Sequence, residues 1–245
     1  MKTPGLLSPL FACALILSVN ITPPETAAQQ IVNAKSSASA AAALEQDIVS
    51  EINLARERPA EYAAYLEQLR SLYSGREYRR PGKPGLMTEE GTKALDEAIS
   101  FLRAARPAPP LTLSLGMCSG ARELVKDQSV SGATGHQGAD GSFCEQRTAR
   151  FGSWTDPIGE NLSYGDDNAR ERVITFLIDD GFASRGHRER ILDPTFKVAG
   201  VACGGHKLGS MCVITLAAGF AEGGAAKTAQ PAGKKMTIPA DARRF

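Results

Sequence analysis

Gly159-Glu160-Asn161-Leu162-Ser163-Tyr164-Gly165 opens the stretch whose reading decides the fold of this chain. After it come Phe176-Leu177-Ile178-Asp179-Asp180-Gly181, then Arg185-Gly186-His187-Arg188-Glu189-Arg190-Ile191-Leu192, and then Phe196-Lys197-Val198-Ala199-Gly200. The first run sets a carboxylate inside a glycine-bracketed, strand-like segment. Residues 169–178 carry apolar Val173, Ile174, Phe176 and Leu177 and predict a helix. Residues 196–203 and 211–220 predict two strands joined by a glycine-rich turn that holds His206. His206 is expected to be exposed there. Upstream, His136 sits in Gly135-His136-Gln137-Gly138. Of the chain's 3 histidines, His136 and His187 stand in glycine-flanked turns near acidic residues, and a functional reading has to account for them.

Working back toward the N terminus, helices dominate. An apolar stripe from Ile48 through Ile52, Ala55, Tyr62 and Leu66 to Leu69 predicts a helix from about Glu45 that Pro59 kinks or splits, because proline removes a backbone donor. Residues 71–85, rich in glycine, proline and arginine, predict a loop with solvated arginines. A second helix should follow Thr88 and Gly91 and stop at Pro107, Pro109 and Pro110. Leu111-Thr112-Leu113 is extended, and Ser114 can cap a third helix reaching about Val130. Its inward face would hold Leu115, Cys118, Ala121, Leu124, Val125 and Gln128. A short helix is expected over 148–152. Helices early and strands late make one α+β domain over residues 45–222.

The ends read differently. Lys2 followed by an apolar run to Val19, with small residues Thr26-Ala27-Ala28 after it, has the pattern of a secretory signal peptide over residues 1–28. That places the mature protein outside the cytoplasm, secreted or periplasmic, with no integral membrane anchor after processing. Residues 29–44, rich in alanine and serine without apolar periodicity, predict a tether, and residues 223–245 a disordered tail. The chain of 245 residues carries a net charge of +1, which gives no bulk electrostatic case for nucleic acid or an acidic membrane.

Processing would remove Cys13 and leave Cys118, Cys144, Cys203 and Cys212. An even number in an exported chain predicts two disulfides. The bridge between Cys203 and Cys212, across one turn, is the cheapest to close, which leaves Cys118 to pair with Cys144. No C-x-x-C spacing occurs, so thiolate zinc and thioredoxin chemistry are not indicated. Nor is there a Gly-x-Ser-x-Gly elbow, a phosphate loop or a dinucleotide fingerprint.

His136, Glu160, Asp179 and His187 are the residues with chemistry to offer. Imidazole and carboxylate are ligands for a divalent metal such as zinc, and the same groups act as general acid and base near neutrality. Arg185, Arg188 and Arg190 cluster around His187, where they can pair with Glu189 or Asp193 or hold an anionic group at a cleft rim.

His136, the Gly159-Glu160-Asn161-Leu162 run, and Gly186-His187 with Gly200 thirteen residues on together resemble the CAP superfamily of cysteine-rich secretory, antigen-five and pathogenesis-related proteins. The resemblance spans residues 45–222 and takes in Asn53 and Arg56 on the early helix and the Pro109-Pro110-Leu111 lead into a later one. It implies a three-layer α-β-α sandwich with a central antiparallel sheet and a cleft holding two histidines and two acids. His136, Glu160 and His187 match three of those positions. The fourth, usually a glutamate three residues after a tryptophan, is Asp179 after Phe176 here, with Asp180 as its competitor. The implied function is a secreted binding module for a divalent metal, or for an apolar, lipid- or sterol-like ligand, more than a catalyst. The alternative is a zinc-dependent hydrolase of peptide, nucleic-acid or envelope substrates.

Overall fold

The computed structural model describes residues 27–223. The expected signal peptide, apart from its last two residues, and the expected tail beyond Gly223 lie outside the described residues. The chain divides into two units, residues 1–36 and 37–245, and the second holds the fold.

Helix α1 spans Ala27–Glu57, so the stretch expected as a tether is helical. Alanine is the best helix former and serine costs little; residues 35–40 are all exposed, so propensity and not burial makes helix there. Burial begins in earnest at Ile48 and Ile52. Pro59 splits the helix as its chemistry requires: α2, Pro59–Leu69, starts on it, where the missing N–H is not needed. The expected loop after α2 carries a small antiparallel sheet, β1 (Tyr73–Ser74), β2 (Glu77–Tyr78) and β3 (Leu86–Met87). Tyr73 and Tyr78 are cross-strand partners whose rings stack at 4.8 Å, and Gly75 at φ 61° makes the turn between them.

The remaining elements are α3 (Thr92–Ala104), β4 (Thr112–Leu113), α4 (Leu115–Ser131), α5 (Cys144–Ala149), β5 (Gly152–Tyr164), α6 (Ala169–Ile178), α7 (Gly186–Leu192), β6 (Val198–His206) and β7 (Gly209–Glu222). Ser114 caps α4 by accepting the Met117 N–H at 3.2 Å. That cap fixes the phase of the helix: Leu115 is 77% exposed instead of inward, and Met117 is buried in its place. The short helix α5 starts four residues before its expected position.

The main sheet has strand order β4-β6-β7-β5. Strand alternation sends Ala199, Val201, Cys203, Cys212, Ile214 and Leu216 into a core with α1, α2, α3, α6 and α7. The opposite face gives Leu162, Ala202, Met211 and Val213 to α4, and Ile158 and Ala217 to Met117 and Cys144. These are the three layers of an α-β-α sandwich. The sheet is mixed and not purely antiparallel, since β4 runs parallel to β6 with Thr112 opposite Val198. Its direction is set by α1. Asn53 bonds both backbone groups of Leu111, and Arg56 donates to the carbonyls of Pro109, Ile191, Asp193 and Phe196 at 2.6–3.0 Å.

Cys203 and Cys212 face each other across β6 and β7 and form the expected disulfide. Cys118 and Cys144 do not pair: both are free and buried. They lie on different sides of α4. Cys144 packs with Met117, whereas the Cys118 sulfur accepts the Val201 N–H at 3.3 Å on the edge of β6 that β4 leaves open. Glu45 covers the same edge by accepting from Cys203 N at 2.9 Å. Alkylation of the denatured, unreduced protein should therefore label Cys118 and Cys144 and spare Cys203 and Cys212. With a sequence separation of 9 between the bridged positions, a Cys203→Ser variant should lose about 2–3 kcal/mol in urea unfolding. No loss would mean that the hairpin needs no staple.

Candidate functional site

The site grows from the pleat of β5. Glu160 lies opposite Thr215 of β7 and points to the α4–α5 face, and Asn161, next in sequence, points to the other. A buried carboxylate needs partners, and Glu160 has them on both oxygens: Oε1 meets His136 Nδ1 at 3.0 Å and Oε2 accepts from Arg147 at 2.7 Å. Arg147, fully buried on α5, also donates to the carbonyls of His136 and Ser142 at 3.0 and 2.8 Å. It therefore fixes the carboxylate and the loop that presents the histidine. That loop is held from two further sides. Tyr164 accepts the Gly135 N–H at 3.0 Å, and Gln128 donates to the Gly135 carbonyl at 2.6 Å.

The second half of the site is made where α6 ends. Asp179 adopts the left-handed conformation, φ 55° and ψ 43°, and its side chain turns back to the start of α7. Oδ2 accepts the N–H groups of His187 and Arg188 at 2.9 and 3.2 Å, and Oδ1 meets His187 Nδ1 at 2.7 Å. One carboxylate thus supplies the acceptor that the first turn of α7 lacks and orients the imidazole on that turn. Phe176 and Phe182 flank the ring with centroids 5.6 and 4.9 Å away. Asp180 has another task, accepting from Glu89 N and Glu90 N at 2.6 and 2.9 Å. Between the two aspartates, it is Asp179 that engages His187.

The four residues form two histidine–carboxylate pairs around Glu160 and Asn161 of β5; the Asn161 amide donates to the His187 carbonyl at 3.4 Å. In each pair Nδ1 faces the acid. A carboxylate acceptor puts the proton on Nδ1 and leaves Nε2 as the basic nitrogen, which is how metal-binding and proton-transferring histidines are oriented. Among the described residues no group of three or more His, Cys, Asp and Glu is placed to hold a metal ion. The chemistry on offer is that of two imidazole Nε2 atoms, each backed by an acid, and not that of a four-ligand cage.

Two of the neighbouring arginines are structural. Arg185 binds Glu90 and Glu97, and Arg188 caps the carbonyls of Leu177 and Ile178 and reaches Glu97. Neither pairs with Glu189 or Asp193 as the sequence suggested, and Arg188, fully buried, lines no rim. The guanidinium of Arg185 draws the Glu90 carboxyl from 4.5 down to about 2. A depressed folded-state value adds stability above the ordinary glutamate range, and that stability disappears as pH falls from about 4.5 through about 2. A Glu90→Gln variant should lose about 1–2 kcal/mol at pH 7, and the gap from the native chain should close over that acid window in pH-dependent urea melts. A gap that persists at pH 2 would assign the effect to packing.

His206, expected to be exposed, is buried: its Nε2 is 3.0 Å from the Ala133 carbonyl, its Nδ1 accepts from Leu208 N, and its ring lies 5.0 Å from that of Tyr164. Cys144 and Cys118 are no nucleophiles, since burial pushes both thiols up, Cys144 the more strongly. Sequence reasoning missed Arg147 entirely, because an arginine eleven residues past His136 in a polar run carries no motif. A cavity of about 150 Å³ lies elsewhere, lined by Glu51, Leu54, Glu61, Tyr62, Tyr65 and Arg170.

A mixed sheet between helical layers, with two histidine–acid pairs at its β5 edge, defines a sandwich protein with a polar site. Residues 96–216 match the model of the cysteine-rich secretory protein family, CAP, a span that includes all four site residues. The chain carries a CAP domain. Among solved structures it is similar to an extracellular protein containing an SCP domain from Bacillus anthracis str. Ames, whose crystal structure was determined at 1.5 Å. That likeness has a TM-score of 0.37 and 18% identity, over 49% of this chain and 37% of that one. No curated protein matches the sequence. Among the described residues no helix is long and apolar enough to cross a membrane.

Proposed function

We propose that this is a secreted CAP-domain binding module whose cleft takes a divalent transition metal such as zinc on the Nε2 atoms of His136 and His187. The observation that carries the reading is the pair of Nδ1–carboxylate contacts, at 3.0 and 2.7 Å, which turn both imidazoles the same way round. Glu160 and Asp179 then serve as orienting partners behind the ligands. A bound zinc ion would supply Lewis acidity and a site for water or an anionic ligand group. The apolar-ligand reading has less behind it. The cavity between α1, α2 and α6, at about 150 Å³, is below the usual size for a small-molecule pocket, and two carboxylates and a guanidinium line it.

Calorimetric titration with zinc tests the proposal. The native protein should bind zinc stoichiometrically, and His136→Ala and His187→Ala should each abolish it. Glu160→Gln and Asp179→Asn should weaken binding by about 10–100-fold while leaving both imidazoles in place. Absence of binding, or binding indifferent to both histidines, overturns the metal reading. A hydrolase screen of the zinc-loaded protein, with and without chelator, separates binding from the hydrolase alternative; chelator-sensitive turnover would replace the binding reading.

A further inference from the structure

Among the described residues, Arg190 is the one charged side chain beside both pairs that the fold does not explain. Arg56 and Arg188 cap backbone carbonyls, and Arg147 neutralises Glu160. Arg190 instead crosses from α7 to β5 and gives NH1 to two neutral oxygens, the Glu160 carbonyl at 3.2 Å and Asn161 Oδ1. Its Nε is buried without a hydrogen-bond partner. Burial holds the guanidinium below its ordinary pKa, against the pull of Asp179, Glu160 and Glu189. Arg147 shares the orphaned Nε, and Arg56 and Arg188 the lowering by burial; what sets Arg190 apart is that its partners are the two adjacent residues of β5 that face the two pairs.

Glycine makes the crossing feasible. A Cβ on Gly159 would stand 2.5 Å from Arg190 Nε and 2.9 Å from its Cδ. Any other residue there would push the guanidinium off the strand. Gly159 and Arg190 are therefore one device: the missing side chain on β5 is the bed in which the arginine lies.

We propose that Arg190 is a positioning residue that sets the two histidine–acid pairs relative to each other. On one side it holds the peptide of Glu160, whose carboxylate orients His136. On the other it holds Asn161, whose amide bonds the His187 carbonyl, and it belongs to the same short helix as His187. A displacement of Glu160 is thereby transmitted to α7 and to the His187 ring. The inference deepens the two-imidazole reading of the site, but its test does not need a metal.

The experiment is histidine side-chain NMR on the metal-free full chain. Glu160→Gln should shift the His187 ring resonances in an otherwise native chain, and in an Arg190→Gln background the same change should leave them unmoved. Equal responses in both backgrounds, or none in either, overturn the proposal. A double-mutant cycle gives a second reading where one variant folds poorly. Gly159→Ala should perturb the His187 resonances in the native chain and add nothing once Arg190→Ala has emptied the space; additive effects would overturn the shared device. Zinc titration then distinguishes the two ideas. If native protein binds zinc, Arg190→Lys, which keeps the charge and loses the fork, should bind about tenfold more weakly. If it binds none, the metal reading falls, and the resonance coupling still decides the role of Arg190.

Discussion

An Arg147→Met variant should lose about 3–5 kcal/mol of stability, the cost of leaving a buried carboxylate without its cation. For a chain of this size that is on the order of 10 °C in midpoint temperature. The reason is concentrated in one side chain: Arg147 bonds Glu160 Oε2 and the carbonyls of His136 and Ser142, and it is buried to 1% exposure. Adding Glu160→Leu should recover much of the loss, because the orphaned charge goes with it. Zinc binding should not recover, since the orienting acid of His136 is gone. Urea unfolding of the two single variants and the double reads the coupling directly. A loss under about 1 kcal/mol for Arg147→Met would show that Glu160 finds another partner or water.

Gly200→Ala should be nearly as damaging, by about 3 kcal/mol, although it adds a single methyl group. The added Cβ would stand 2.3 Å from the backbone carbon of Met117 and 2.6 Å from its carbonyl oxygen. Backbone has no rotamer to escape into, so α4 would have to lift off β6. That contact carries both the Ser114 cap and the Cys118 sulfur that accepts from Val201. The expected sign is a lowered midpoint with native-like secondary structure by circular dichroism, and an unchanged midpoint would show that the two layers can slide. By contrast, Gly165→Ala meets no atom within 4 Å and should cost only the strain of its φ of 105°.

These two positions show where sequence reading succeeds and where it stops. Gly200 was visible as part of a motif, with its spacing to Gly186-His187 and the strand around it. The reason for a glycine there was not, because the atom it avoids belongs to Met117, far away in the chain. Arg147 was not visible at all. Its three partners lie on a loop and on β5, and an arginine in a polar segment reads as solvated until the fold closes over it.

The cysteines divide in the same way. Cys203 and Cys212 share one hairpin, so local geometry alone commits them to each other. Cys118 and Cys144 were paired by elimination. The phase of α4, set by its cap at Ser114, turns Cys118 to Val201 of β6, while Cys144, on α5, packs against Met117. An alanine- and serine-rich run without an apolar stripe was read as a tether although its propensity is helical. Periodicity detects burial, and residues 35–40 of α1, all exposed, have none to detect.

By itself, then, the sequence determined the local elements: α6 over its full span, the split of the first helix at Pro59, the cap at Ser114, the β6–β7 hairpin and the glycine-flanked bend at His136; His187, expected in a turn as well, stands instead in the first turn of α7. Those are properties of a few consecutive residues, fixed by dihedral preference, capping and alternation. Tertiary structure alone decided that Asp179 and not Asp180 engages His187, because the left-handed end of α6 aims one carboxylate at α7 and the other at Glu89 and Glu90. It alone turned Glu160 and Asn161 to opposite partners and set Arg147 and Arg190 around them. A charge left alone in the interior is costly, and which partner relieves it depends on elements that meet only when the chain is folded.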